Sequence, residues 1–226
     1  MLSLLTRWLL GSPPTPPHWQ GVPVSDISFL AIDLELTSLD VTTSQITSAG
    51  WVSGRAGDID LDSAYYQVVK TSSSLEQSPV IHGLTADTVA QGCHVSDVLD
   101  ALMPFAGTHI WVFHNARLDT GVLDKALREN GRSLDNIVVL DTLKYAVYQL
   151  EKQHQVLPPN SATLTVCRQR LGLPLAPAHN ALDDALATLQ LWFAQYYTYN
   201  GGTKNVTIDD FLSIHVAKCK KMGKKS

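Results

Sequence analysis

The sequence predicts an α/β protein built on a mixed β-sheet flanked by helices, and three observations carry that expectation. Residues 27–36 form an almost unbroken apolar run, interrupted only at Ser28, Asp33 and Glu35, which reads as a buried strand. Two more strand-like stretches, 45–51 and 65–69, follow it, with the turn chemistry of Arg55-Ala56-Gly57-Asp58 between them, as in a meander. Beyond residue 95, strand-like and helix-like stretches alternate. Strands in succession, then strands alternating with helices, require both antiparallel and parallel neighbours in one sheet.

Taken in order, the chain begins with Leu2, Leu4, Leu5, Trp8, Leu9 and Leu10 at the spacing of a short amphipathic helix. Residues 12–23 then hold five prolines, which favour an extended arm over a packed element. We therefore expect an N-terminal arm over 1–25, a main domain over 26–200 and a C-terminal segment over 201–226. A Leu/Trp face is unfavourable in water, so the first helix either folds back or docks on a protein partner or a membrane surface.

Within the main domain, residues 79–85 read as a loop leading to a short helix opened by Thr85 and Asp87. Val98, Leu99 and Leu102 give helical spacing across 95–105. A strand over 109–113 ends in His114-Asn115. The helix after it turns Leu118, Val122, Leu123, Ala126 and Leu127 inward and stops before Gly131. A strand over 136–140 runs into Asp141-Thr142, which caps a helix to about residue 151. A helix opened by Ser161 stops at Gly172, and a long one spans about 180–197. A small helix over 209–218 precedes Lys218, Lys220, Lys221, Lys224 and Lys225, which read as a solvated tail.

Composition sets bounds. Hydrophobic residues at 45% and charged ones at 17% describe a chain with a large core. A formal net charge of -4 argues against binding nucleic acid by bulk positive charge, though not through metal ions and a local basic rim. Cys93, Cys167 and Cys219 fit neither a disulfide framework nor a zinc pattern, so a cytoplasmic setting is expected. No apolar run reaches the roughly 20 residues of a membrane span. The apolar start is broken by Arg7 and lacks a small-residue cleavage pattern, so no signal peptide is expected.

Asp33 and Glu35 lie two apart on a strand and so share a face. Two carboxylates that close resist desolvation unless something cancels them, and a divalent cation does so. Asp119 lines up with Val122, Leu123 and Ala126 on its helix, so an acid faces the core side near a strand end where α/β ligands bind. His179 stands just before the last long helix and an acid lies in its second turn. Periodicity does not choose between Asp183 and Asp184.

Together these pieces resemble the DnaQ-like 3′-5′ exonucleases, the DEDD type with a catalytic histidine, and in particular the epsilon proofreading subunits of DNA polymerase III. The resemblance rests on Asp33-x-Glu35, on His114-Asn115-Ala116-x-x-Asp119 and on His179-x-Ala181-x-x-Asp184, in that order. The segments Ile81-His82-Gly83-Leu84-Thr85, Asp141-Thr142-Leu143 and 164–173 also look like that family, and the likeness covers about 27–197. It implies an RNase H-like mixed sheet, with Asp33, Glu35, Asp119 and Asp184 as metal-binding carboxylates and His179 as general base. It selects Asp184 over Asp183. It also implies that Leu36 and Thr37 contact the terminal nucleotide, with His82 and Asn115 near it. Leu36-Thr37-Ser38 replaces the usual Thr-Thr-Gly and Leu118 replaces a usual Phe, departures that touch nucleotide packing and not the ligands.

The implied activity is release of nucleoside 5′-monophosphates from the 3′ end of DNA. Four acids would repel a phosphodiester, so about two divalent cations are needed to reverse the local sign. All-oxygen ligands suit Mg²⁺ or Mn²⁺ and argue against zinc. An imidazole with an ordinary pKa near 6.5 suits His179 to accept a proton at neutral pH. The expected partners are single-stranded DNA or DNA 3′ ends, with RNA as the alternative. Ile32-Asp33-Leu34-Glu35 followed by Thr37 also looks like oligoribonuclease, so an RNA-trimming or short-oligonucleotide enzyme is the rival within the superfamily. A non-catalytic nucleic-acid-binding adaptor is the rival outside it, opposed by the intact acid set, and a small-molecule phosphatase has little support. For the Lys-rich end a secondary expectation is salt-dependent attraction to a nucleic-acid backbone.

Overall fold

The structure, a computed structural model, describes residues 15–71, 86–153, 158–177, 180–201 and 206–224. Six strands form one mixed sheet in the order β3-β2-β1-β4-β5-β6. They are β1 Ser28–Leu36, β2 Ile46–Arg55, β3 Asp58–Val68, β4 Ile110–Phe113, β5 Leu134–Asp141 and β6 Ala217–Met222. β1, β2 and β3 make an antiparallel meander, β4 and β5 add parallel to β1, and β6 closes the far edge antiparallel to β5. The helices are α1 Ala86–Ala90, α2 Val95–Leu102, α3 Ala116–Glu129, α4 Thr142–Lys152, α5 Leu164–Arg170, α6 Ala181–Asn200 and α7 Ile208–Ser213.

Alternation along β1 divides the core. Leu30, Ile32 and Leu34 face α2 and α3, where they meet Val98, Leu99, Leu102, Val122, Leu123 and Leu127. Phe29 and Ala31 face α4, α6 and α7, in a cluster that includes Leu189, Trp192, Tyr145 and Phe211. α6 lies across β1 and β2 on this second face. Its Trp192 ring stands 5.3 Å from that of Phe29. Burying an aromatic or leucine side chain of this kind is worth about 1.5–3 kcal/mol.

Most expected elements form, and the differences have physical causes. β2 and β3 run on to the Ala56-Gly57 turn, and β3 carries polar residues because it is an edge strand with Leu61 67% exposed. Trp51 and Tyr65 sit opposite each other in this hairpin and stack at 3.8 Å. The helix expected from Ser161 begins three residues later, because Ser161 and Ala162 lie in the turn after left-handed Asn160, and Thr163 supplies the cap. α7 is shorter than expected. The lysine-rich stretch is not a tail through residue 224 but the sheet strand β6, with Ala217 and Cys219 buried between exposed Lys218 and half-buried Lys220.

The proline-rich segment is likewise packed where it is described. Trp19 and Val24 belong to the core, and the Thr15 hydroxyl donates to Asp209 at 2.6 Å. Burying the Trp19 ring outweighs the preference of prolines for an extended arm. The helix expected at 1–10 lies outside the described residues, as does the 79–85 loop with His82 and Thr85. All three cysteines are free thiols. Among the described residues no helix is long and apolar enough to cross a membrane.

Candidate active site

The acids meet where β1 and β4 end. β1 pairs with β4 in parallel through Ala31↔Val112, so Asp33 comes level with the strand end at His114. Asp33 and Glu35 share the α6 face of β1, and the first turns of α6 bring Asp184 down onto them. One carboxylate oxygen from each of Asp33, Glu35 and Asp184 lies within 4.8 Å of the others. The helix register therefore turns Asp184 to the acids, while Asp183 lines a separate groove beside Leu186 and Gln190.

The close approach of α6 depends on a residue absent from the sequence expectations. Gly50 on β2 is paired with Asp33. A β-carbon there would lie 2.6 Å from the Ala181 carbonyl oxygen and closer still to the Leu182 nitrogen. Glycine in a buried strand marks such a close approach, and that is the signal that could have found it. Asn180 caps α6 by accepting from the Leu182 and Asp183 N–H groups at 3.0 and 3.3 Å.

Asp119 joins from the opposite layer, in the first turn of α3, and accepts a hydrogen bond from the Leu34 backbone N–H. It is not in the 4.8 Å trio, yet among the neighbouring acids its charge acts on Asp33 most strongly, ahead of Asp184 and Glu35. Desolvation first, and then those three charges, hold the Asp33 carboxyl well above the usual carboxylate range. Desolvation also pushes Asp119 up to about 7, against the backbone hydrogen bonds that oppose it. Burial first and mutual repulsion second thus raise these carboxyls, and the oxygen-only donor set of Asp33, Glu35 and Asp184 fits a hard divalent cation.

The turn carrying α3 is held from beneath. Asn115 adopts a left-handed conformation with φ 71. Buried Asp141 accepts from the N–H groups of Asn115 and Ala116 at 3.1 and 3.2 Å, and from those of Leu143 and Lys144 at 3.1 and 3.3 Å. One carboxylate thus fixes two helix starts. Beside it His114 contacts the Thr142 hydroxyl at 2.9 Å and the Ala162 carbonyl at 3.0 Å, and burial lowers its pKa.

A 280 Å³ cavity opens beside the acids, lined by Asp33, Asp184 and His114 and walled by Thr163 to Thr165 and Pro174 to Pro177. Of the residues expected near the nucleotide, Leu36 is half-buried and Asn115 exposed. Thr37 is buried, and its hydroxyl accepts from the Gln45 N–H at 2.9 Å. His82 and His179 lie outside the described residues.

Residues 30–192 match the family model described as RNase_T: Exonuclease. A DNA polymerase III PolC-type from Clostridium perfringens is 28% identical over 166 residues, covering 74% of this chain and 11% of the relative. The chain thus spans only about a tenth of the length of such relatives. Among solved structures, cell-death related nuclease 4 aligns with a TM-score of 0.64 and 13% identity, over 81% of this chain and 67% of that one. Escherichia coli exonuclease I in complex with a dA16 oligonucleotide aligns with a TM-score of 0.61 and 16% identity, over 76% and 41%. Both likenesses concern the fold.

Proposed function

Because the chain belongs to the RNase_T exonuclease family, we propose that it removes nucleoside 5′-monophosphates stepwise from the 3′ end of DNA. The observation that carries this reading is the convergence of Asp33, Glu35 and Asp184 within 4.8 Å, with Asp119 close enough to act on Asp33. These four acids would hold two Mg²⁺ or Mn²⁺ ions. When bound, the ions would supply the positive charge that lets a phosphodiester enter and that balances charge developing on its oxygens.

The chain's own groups divide the remaining work. His179 takes a proton from the attacking water, whose oxygen bonds to phosphorus as the bond to the 3′ oxygen breaks; that oxygen then receives a proton from solvent. An imidazole is half-ionised near pH 6.5, so it accepts this proton at neutral pH. The 280 Å³ cavity beside Asp33 and Asp184 would receive the terminal nucleotide; the family resemblance assigns nucleotide contacts to Leu36, Thr37, His82 and Asn115. DNA as substrate is supported by the DNA polymerase III relatives, whose names assign them to DNA synthesis.

End-labelled DNA and RNA strands of matched sequence test the reading, with Mg²⁺, with chelator, and with Asp33→Ala and His179→Ala. Shortening of the DNA strand from its 3′ end is expected, lost in chelator and in both variants. Preference for RNA would move the assignment to the oligoribonuclease-like alternative. Activity that survives Asp33→Ala would defeat the metal assignment.

A further inference from the structure

The strand β6 gives the sheet a cationic edge three strands from β1, although the whole chain is net negative. Residues 217–224 contain Lys218, Lys220, Lys221 and Lys224 and no acid. Lys218 and Lys220 are two apart and share the face of β6 that looks toward α3, where the Lys220 ammonium donates to the Thr120 hydroxyl at 2.6 Å. Met222, on the same face, is buried against the core. That face therefore runs from the core at Met222 to solvent at Lys218, and Lys218 pairs with Val139 near the end of β5 that leads to Asp141.

Two more cations join it. Lys144 is exposed in the first turn of α4 and stands close to Lys220: burial first, and then the charges of Lys144 and Lys218, lower the Lys220 pKa. Arg117 is exposed on α3, three residues before Thr120 and so on the side of that helix turned to β6. Of the acids near β6, Asp135 pairs with Lys224 at 2.8 Å, and the two nearest Lys220 are otherwise engaged. Asp124 faces Arg128 at 3.4 Å and accepts from the Gly223 N–H, and Asp141 is spent on four backbone N–H groups.

We propose that Arg117, Lys144, Lys218 and Lys220 form a phosphate track that holds the nucleic-acid backbone several nucleotides upstream of the end being cleaved. This rests on the exonuclease reading above. Three strand spacings separate β6 from β1, about 14 Å, so the track engages a part of the strand outside the catalytic pocket and not the terminal nucleotide. Phosphate contacts position a strand without reading its sequence. Long substrates therefore gain affinity from the track and the shortest ones do not, which makes the enzyme prefer polymers to residual fragments.

The test replaces the two exposed lysines together, Lys144→Gln with Lys218→Gln, and follows kcat/KM on oligonucleotides of about 15 and about 3 nucleotides between about 50 and 200 mM salt. Anisotropy of a labelled 15-mer protected at its 3′ end reads binding without turnover. The variant should lose about tenfold in its preference for the longer strand at low salt, and its log–log salt slope should flatten by about 1.4, or 0.7 per lost phosphate contact. Arginine at both positions should restore both quantities. An unchanged length preference and slope would overturn the track. A wild-type protein that cleaves neither strand would instead refute the exonuclease reading, and the anisotropy slope would still report on the track.

Discussion

Gly50 on β2 lies directly beneath Ala181 at the start of α6, and this absence of a side chain lets Asp184 reach Asp33. The helix backbone occupies the space a β-carbon would need, so Gly50→Ala must lift the first turn of α6 and carry Asp184 away from its partners. A displacement of about 1 Å in a catalytic constellation costs on the order of 10²-fold in rate. We expect Gly50→Ala to stay folded but to lose about that factor, together with most of the thermal stabilisation by Mn²⁺. Wild-type rate and wild-type metal response in this variant would show that α6 can shift without disturbing the site.

Stability should depend on pH through the crowded acids once metal is removed. Asp119 titrates at about 7 in the fold, and an unfolded aspartate at about 3.9. The native state then binds more protons than the unfolded one, so stability falls as pH rises. This contribution is fully present below about pH 4 and is lost as pH passes through about 7. Melting in chelator should decline across that window, less steeply for Asp119→Asn, and Mn²⁺ should raise the midpoint more at pH 8 than at pH 5.5 because it displaces bound protons. Parallel curves for wild type and Asp119→Asn would contradict the assignment of the shift.

The parts of this site that the sequence displayed were those written in local periodicity. Asp33 and Glu35 follow from a period of two inside an apolar run, and Asp119 from its place among Val122, Leu123 and Ala126. Asp184 was different, because helical spacing allowed Asp183 equally; the motif resemblance selected Asp184, and the packing of α6 over Gly50 is what turns that carboxylate to β1. β6 was hidden for a related reason. Four lysines in eight residues swamp the short Ala217-x-Cys219 alternation, and burial there comes from β5 and α7, which no local pattern reveals.

Asp141 should be as sensitive as the four acids proposed to hold metal, without touching substrate. Asp141→Asn turns one acceptor oxygen into a donor and leaves backbone N–H groups of the α3 or α4 start unsatisfied, at about 2–3 kcal/mol. For a domain of this size that is roughly 5–10 °C in midpoint. Because the same carboxylate sets the turn before Asp119, the rate should fall as well, even well below the new midpoint. A loss of stability with kcat untouched would separate the two helix starts and show that α3 is positioned by other contacts.

Arg168 makes the most specific case, since it sits at the wall of the cavity and carries its charge into the interior. It is 4% exposed and donates to the Ala187 carbonyl at 2.8 Å and the Pro174 carbonyl at 2.9 Å. It thereby ties α5 to α6 and to the 174–177 stretch that walls the cavity and leads in sequence to His179. Arginine spreads donors over a planar fork, whereas lysine offers one point of charge, so a lysine in its place would reach one carbonyl and leave the other bare. Arg168→Lys should therefore fail to rescue, costing about 1–3 kcal/mol, raising KM and opening 174–177 to limited proteolysis. If the lysine variant matched wild type in both KM and cleavage rate, the charge alone would suffice, and the two-carbonyl clamp would not be what holds the cavity wall.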